Sequence, residues 1–110
     1  MNDNRTGTFT DLQRLLNYSE EGITLAQNYT YNPSTYAKLI NGILIDKKLT
    51  INGNGVTISG NYTARIFNIT SDDVIIRNIN LINGKTNSRG GAIYWNGTDG
   101  VLENSVYLET

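Results

Sequence analysis

The chain has 110 residues, 38% hydrophobic and 17% charged, with a net charge of -1, which suits one small domain with a narrow core. A nearly balanced charge excludes the electrostatic attraction that nucleic-acid and anionic-membrane binding rely on. The chain has no cysteine and no histidine, which excludes disulfides, thiol catalysis, thiolate metal sites and an imidazole general base.

Residues 1–8 are polar and read as a mobile tail without the basic and apolar regions of a signal peptide. Thr10 followed by Gln13 has the spacing of a capping box, and Phe9 sits where a hydrophobic staple would. Leu12, Leu15 and Leu16 fall at i, i+3 and i+4, which predicts a short amphipathic helix over 10–18 with Gly22 suited to a stop. After Gly22 the period becomes strand-like. Ile23, Leu25, Tyr29 and Tyr31 alternate with polar residues until Asn32-Pro33-Ser34 breaks the run, and 34–41 reads as a loop. Residues 9–41 therefore form a capping helix, a first strand and a loop. Residues 42–110 are short apolar runs between Gly, Asn and Asp. The sixteen Asn and eleven Gly against one Pro imply many tight turns, because both residues tolerate positive φ. No stretch approaches the ~20 apolar residues of a membrane-spanning helix.

The run 42–110 is repetitive. Three segments, 42–55, 65–84 and 91–109, each begin with a short strand, cross a polar turn and continue with a second strand. Ile43 and Ile45 correspond to Phe67 and Ile69, then to Ile93 and Trp95. Ile51 corresponds to Ile76 and then to Leu102, and Asn78 to Asn104, each preceding another apolar strand. The spacing, about 24–26 residues, is that of a solenoid. No strand is long enough to bury an apolar face alone. Stacking the units places like side chains about 4.8 Å apart and pairs the backbone between them. The expected fold class is all-β: a right-handed parallel β-helix of about three coils. Leu12, Leu15 and Leu16 would cover the first coil as a short N-terminal capping α-helix. The last coil has no comparable device, and the expectation is that the natural protein continues or that a partner fills this edge.

The set FTDLQRLLN, LTINGNGVTISG, ARIFNIT and NGKTNSRGGAIYWNG, spread over residues 8–108, resembles the N-terminal region of the adhesin-like surface proteins of methanogenic archaea. The resemblance implies repeated right-handed β-helix coils and an extracellular, cell-surface location. It also implies a role in attachment, without catalytic residues or cofactor.

Several side chains invite a functional reading. Asn17, Asn28, Asn61, Asn68 and Asn96 open N-x-S/T sequons and are candidate glycosylation sites on an exported chain, with Asn17, Asn61 and Asn96 nearest predicted turns. Tyr94 alternates with Ile93 and Trp95, so it faces outward where those face inward. Beside Asn68 it is a candidate glycan contact. Asp72, Asp73 and Asp99 fall at corresponding turns, where solvation and turn-making explain them better than Ca²⁺ binding does. Only Asp46, Asp72 and Asp99 are placed to approach one another among the acids, so no catalytic centre, metal or cofactor is expected. Gly90-Gly91 follows a basic loop, but no helix follows to hold an anion.

The preferred function is a structural or adhesive segment of a cell-surface protein that presents loops, with 32–41 and 84–90 as the expected contacts. The alternatives are a carbohydrate-binding or carbohydrate-processing β-helix and a module that assembles with copies of itself through its C-terminal edge. Expected partners are cell-surface glycans or other cells. Neither nucleic acid nor membrane insertion is expected.

Overall fold

Residues 6–32, 37–85 and 92–109 are described by a computed structural model. The first element is β1 (Gly7–Thr8), which pairs with β3 (Tyr29–Thr30), so the expected tail over 1–8 gives way to a strand at its end. Helix α1 (Phe9–Tyr18) begins one residue earlier than the apolar stripe predicts. The capping box is Thr8 with Asp11, not Thr10 with Gln13. The Thr8 hydroxyl accepts from the Asp11 N–H at 3.1 Å, and the Asp11 carboxylate accepts from the Thr8 N–H at 2.9 Å. Phe9 is therefore the first helical residue, and it packs edge-on against Tyr31 with ring centroids 5.5 Å apart. Gly22 does not merely follow the helix; it opens β2 (Gly22–Thr24). The expected loop over 34–41 contains a short 3-10 helix, Ala37–Asn41.

From there the chain makes nine short strands: β4 (Ile43–Ile45), β5 (Thr50–Asn52), β6 (Thr57–Ser59), β7 (Phe67–Ile69), β8 (Ile75–Arg77), β9 (Asn80–Gly84), β10 (Ile93–Trp95), β11 (Val101–Glu103) and β12 (Val106–Glu109). They join the earlier strands in three separate sheets, ordered β1-β3-β6-β9-β12, β4-β7-β10 and β2-β5-β8-β11, in which every pairing is parallel. Among the described residues the class is strand-rich with one α-helix. Each repeat supplies three strands; the sequence pattern separates the third after Asn78 and Asn104 but not at 57–59. The third is β6, β9 or β12.

The registers follow the expected correspondences. Ile43, Phe67 and Ile93 are successive partners, as are Ile45, Ile69 and Trp95. Ile23, Ile51, Ile76 and Leu102 form a third row. The inward rows are buried through the middle of the molecule: Ile43, Ile51, Ile58, Phe67, Ile69, Ile76 and Leu81 lose essentially all solvent contact. Each such side chain is worth roughly 1.5–3 kcal/mol of transfer free energy, and a three-residue strand can collect it only from neighbours in other strands.

Helix α1 lies over the β4 side of this core. Phe9, Leu12 and Leu16 are buried in the same cluster. The Gln13 amide imitates a peptide unit: Nε2 donates to the Leu44 carbonyl at 3.0 Å, and Oε1 accepts from the Leu44 N–H at 2.7 Å. The free edge of β4 is thus satisfied by one side chain. Lys47 Nζ donates to the Asn17 and Ser19 carbonyls at the other end of the helix, where cations are favoured.

The corners between sheets are built from left-handed residues. Asp73 (φ 60) and Asp99 (φ 58) turn the chain between β7 and β8 and between β10 and β11. Asn78 (φ 58) and Asn104 (φ 49) turn it between β8 and β9 and between β11 and β12. Asn and Asp are the side-chain-bearing residues that most readily adopt this conformation, which accounts for five of the sixteen asparagines: Asn54, Asn61, Asn78, Asn83 and Asn104.

Candidate functional site

The outer face of the β4-β7-β10 sheet carries Leu44, Asn68 and Tyr94 as register neighbours. Leu44 and Tyr94 are 40% and 39% exposed, while Asn68 between them is half-buried. The expected adjacency of Tyr94 and Asn68 is present. Arg65 modifies it: the guanidinium carbon lies 5.3 Å from the Tyr94 ring centroid. Arg65 is 7% exposed and donates from Nη1 to the Asn41 carbonyl at 3.1 Å. A cation over the ring contributes about 0.5–2 kcal/mol and occupies one ring face. The Asn68 side-chain oxygen, Oδ1, is buried without a hydrogen-bond partner.

A second surface lies at the β5-to-β6 and β8-to-β9 corners. Asn52, Asn54, Gly55, Asn78, Ile79, Asn80 and Asn104 line a shallow groove of about 430 Å³. Asn78 Nδ2 donates to Asn52 Oδ1 at 3.0 Å, and the same oxygen accepts from the Asn54 N–H at 3.0 Å. Asn80 Nδ2 reaches the Gly55 carbonyl at 3.4 Å. The amides therefore spend much of their capacity holding adjacent corners together. Turn propensity alone flags these asparagines as loop residues. Their grouping emerges only when the repeats are laid over one another.

The sequons differ in what holds them. Asn17 is exposed, and its Oδ1 accepts from Gln13 Nε2 at 3.1 Å. Asn28 Oδ1 accepts from the Thr57 N–H at 2.8 Å, and Asn61 Nδ2 donates to the Tyr31 carbonyl at 3.3 Å. Asn68 is wedged between two strands. Asn96 is exposed, and its backbone N–H donates to the Ile69 carbonyl at 2.8 Å. A sixth sequon, at Asn4, lies outside the described residues.

The acids are dispersed. Asp11 caps α1, Asp72 Oδ1 accepts from the Thr98 N–H at 2.8 Å, and Glu103 sits 3.0 Å from Arg77 Nε. That Nε–H is not aimed at the carboxylate oxygen, so the contact is charge attraction between half-exposed groups, worth about 0–1 kcal/mol. Among the described residues no three acids come close enough to hold a metal ion, and no helix is long and apolar enough to cross a membrane. The expected contact loops, 32–41 and 84–90, fall partly outside the described residues, at 33–36 and 86–90. The pair Gly90-Gly91 falls there too.

Among the described residues, strands β10, β11 and β12 each pair on one side only. The apolar side chains beside that edge, Ile93, Trp95 and Leu102, are half-buried where their partners one row inward are fully buried. No protein-family model matches the chain, and no curated protein or solved structure does so either.

Proposed function

We propose that the chain is a structural and adhesive segment of a cell-surface protein, wound as a right-handed parallel β-helix of about three coils with α1 over its first coil. The observation that carries the winding is the strand order. From β4 onward the chain visits the three sheets in strict rotation, and each strand pairs with the one three places later. Parallel returns of this kind are right-handed in nearly all proteins. The outer surface then consists of short polar corners at fixed spacing, a rigid frame on which loops and side chains are presented. The five candidate sequons and the resemblance to adhesin-like archaeal surface proteins support an extracellular location.

Carbohydrate contact is supported by Tyr94, an exposed aromatic ring beside Asn68 on a flat sheet face. Self-association is supported by the one-sided pairing of β10, β11 and β12, since open strand edges recruit further strands. Glycan-array binding and sedimentation of one preparation over a wide concentration range test the proposal together. Binding to surface glycans without release of sugar fragments is expected. A chain that binds no glycan in any assembly state contradicts the adhesive role, and release of fragments would make it a processing enzyme.

A further inference from the structure

We propose that Asn96-Gly97 is a site of spontaneous deamidation, the one Asn–Gly step among five that this fold leaves chemically open. The reaction needs two free groups. The backbone nitrogen of the following residue, once deprotonated, attacks the asparagine Cγ. A new N–Cγ bond forms and the Cγ–Nδ2 bond breaks, and ammonia leaves with the proton. The resulting succinimide then takes up water. Opening at Cγ gives aspartate, and opening at the main-chain carbonyl gives isoaspartate. Glycine at the second position favours the first step because no side chain shields its nitrogen.

The five Asn–Gly steps begin at Asn41, Asn52, Asn54, Asn83 and Asn96. In three of them the attacking nitrogen is already a donor: Gly42 N–H to the Leu39 carbonyl at 2.9 Å, Gly53 N–H to Arg77 at 2.7 Å and Gly55 N–H to Asn78 at 2.7 Å. At the fourth, Gly84 is buried within β9 in register with β12, and Asn83 Nδ2 donates to Ser59 Oγ at 3.3 Å. Asn96 differs. It is exposed, and among the described residues its side-chain amide and the Gly97 N–H make no hydrogen bond. Gly97 cannot be exchanged cheaply for a larger residue, because an added Cβ would collide with the Ser71 carbonyl of the neighbouring corner. Packing thus keeps a glycine next to a free asparagine amide.

The product changes the corner. It adds a negative charge to the turn region that carries Asp72, Asp73 and Asp99. In the isoaspartate form it also inserts a methylene into the main chain between β10 and β11. It removes the glycosylation acceptor at the same position.

Tryptic mapping of the full chain tests the assignment. Cleavage after Lys and Arg puts Asn41, the pair Asn52 and Asn54, Asn83, and Asn96 into four different peptides. The chain is incubated at mildly alkaline pH either folded or in concentrated urea, and each peptide is followed for a gain of about 1 Da. In urea all five steps react at comparable rates. In the folded chain Asn96 keeps its rate within about threefold, while the other four slow by about tenfold or more, because they react only from opened states. The variant Asn96→Gln, confirmed folded by circular dichroism, abolishes the fast product. Slowing of Asn96 to the level of the other four, or a faster folded-state reaction at any of them, overturns the proposal.

Discussion

Replacing Gln13 with alanine removes a side chain that serves as a strand. Its amide makes two hydrogen bonds to Leu44, at 3.0 and 2.7 Å, on the edge of β4. Each is worth about 0.5–1.5 kcal/mol net. Leu44 is 40% exposed, so water takes over part of the loss, and alanine's higher helix propensity returns a few tenths of a kcal/mol. The expected cost is about 1 kcal/mol, or a melting point lower by ~4–8 °C for a domain of this size. Urea unfolding followed by the fluorescence of the single tryptophan, Trp95, reads it. The freed edge also makes the variant more prone to associate. The substitution Gln13→Glu sharpens the test. The carboxylate still accepts from the Leu44 N–H but sets a second oxygen against the Leu44 carbonyl, which favours the protonated form and raises the folded-state pKa. The stability of this variant relative to the parent is therefore highest below the ordinary glutamate range and falls as pH rises through the raised pKa. Unchanged stability of both variants, with no added association, would refute the capping role.

The Thr8 and Thr10 hydroxyls separate two versions of the helix start. Thr8→Ala should cost about 1 kcal/mol by chemical denaturation. Thr10→Val should be neutral or stabilising, because the Thr10 hydroxyl is buried without a partner; the reverse ranking would restore the Thr10 box. Ile51→Ala, fully buried in the middle of its row, should cost roughly 2–5 kcal/mol. Leu44→Ala on the exposed face should cost well under half of that, and equal losses would mean the two faces are misassigned. Gly97→Ala should lower the melting temperature sharply through its collision with Ser71, whereas Gly55→Ala meets open space and carries only the strain of its φ of 81°, about 1–2 kcal/mol.

The rows of the core were readable because inward positions must be apolar in every repeat, so Ile43, Phe67 and Ile93 recur at nearly constant spacing even as the turns between them vary. The left-handed corners were readable in kind from Asn and Asp. The helix start was not, because two capping boxes overlap: Thr8 with Asp11 and Thr10 with Gln13 have equivalent local chemistry. The choice is made by a strand 31 residues away, which claims the Gln13 amide. The third strand was legible after Asn78 and Asn104 and blurred only at Thr57–Ser59, which has one apolar residue and no periodicity to measure. Arg65 escaped for a related reason. A buried cation leaves no mark in a hydrophobic pattern, and its place over Tyr94 exists only once the strands are in register. The sequons were readable as sequences, but which amides are free depends on hydrogen bonds to neighbouring repeats.

Each apolar row runs in one register through consecutive units. Methyl nuclear Overhauser contacts along the row Ile23, Ile51, Ile76 and Leu102 test it most directly, since parallel neighbours lie about 4.8 Å apart. Ile51 is expected to contact both Ile23 and Ile76, and Ile76 to contact Ile51 and Leu102. Direct contact of Ile51 with Leu102, or pairings displaced by one residue along the strands, would contradict it.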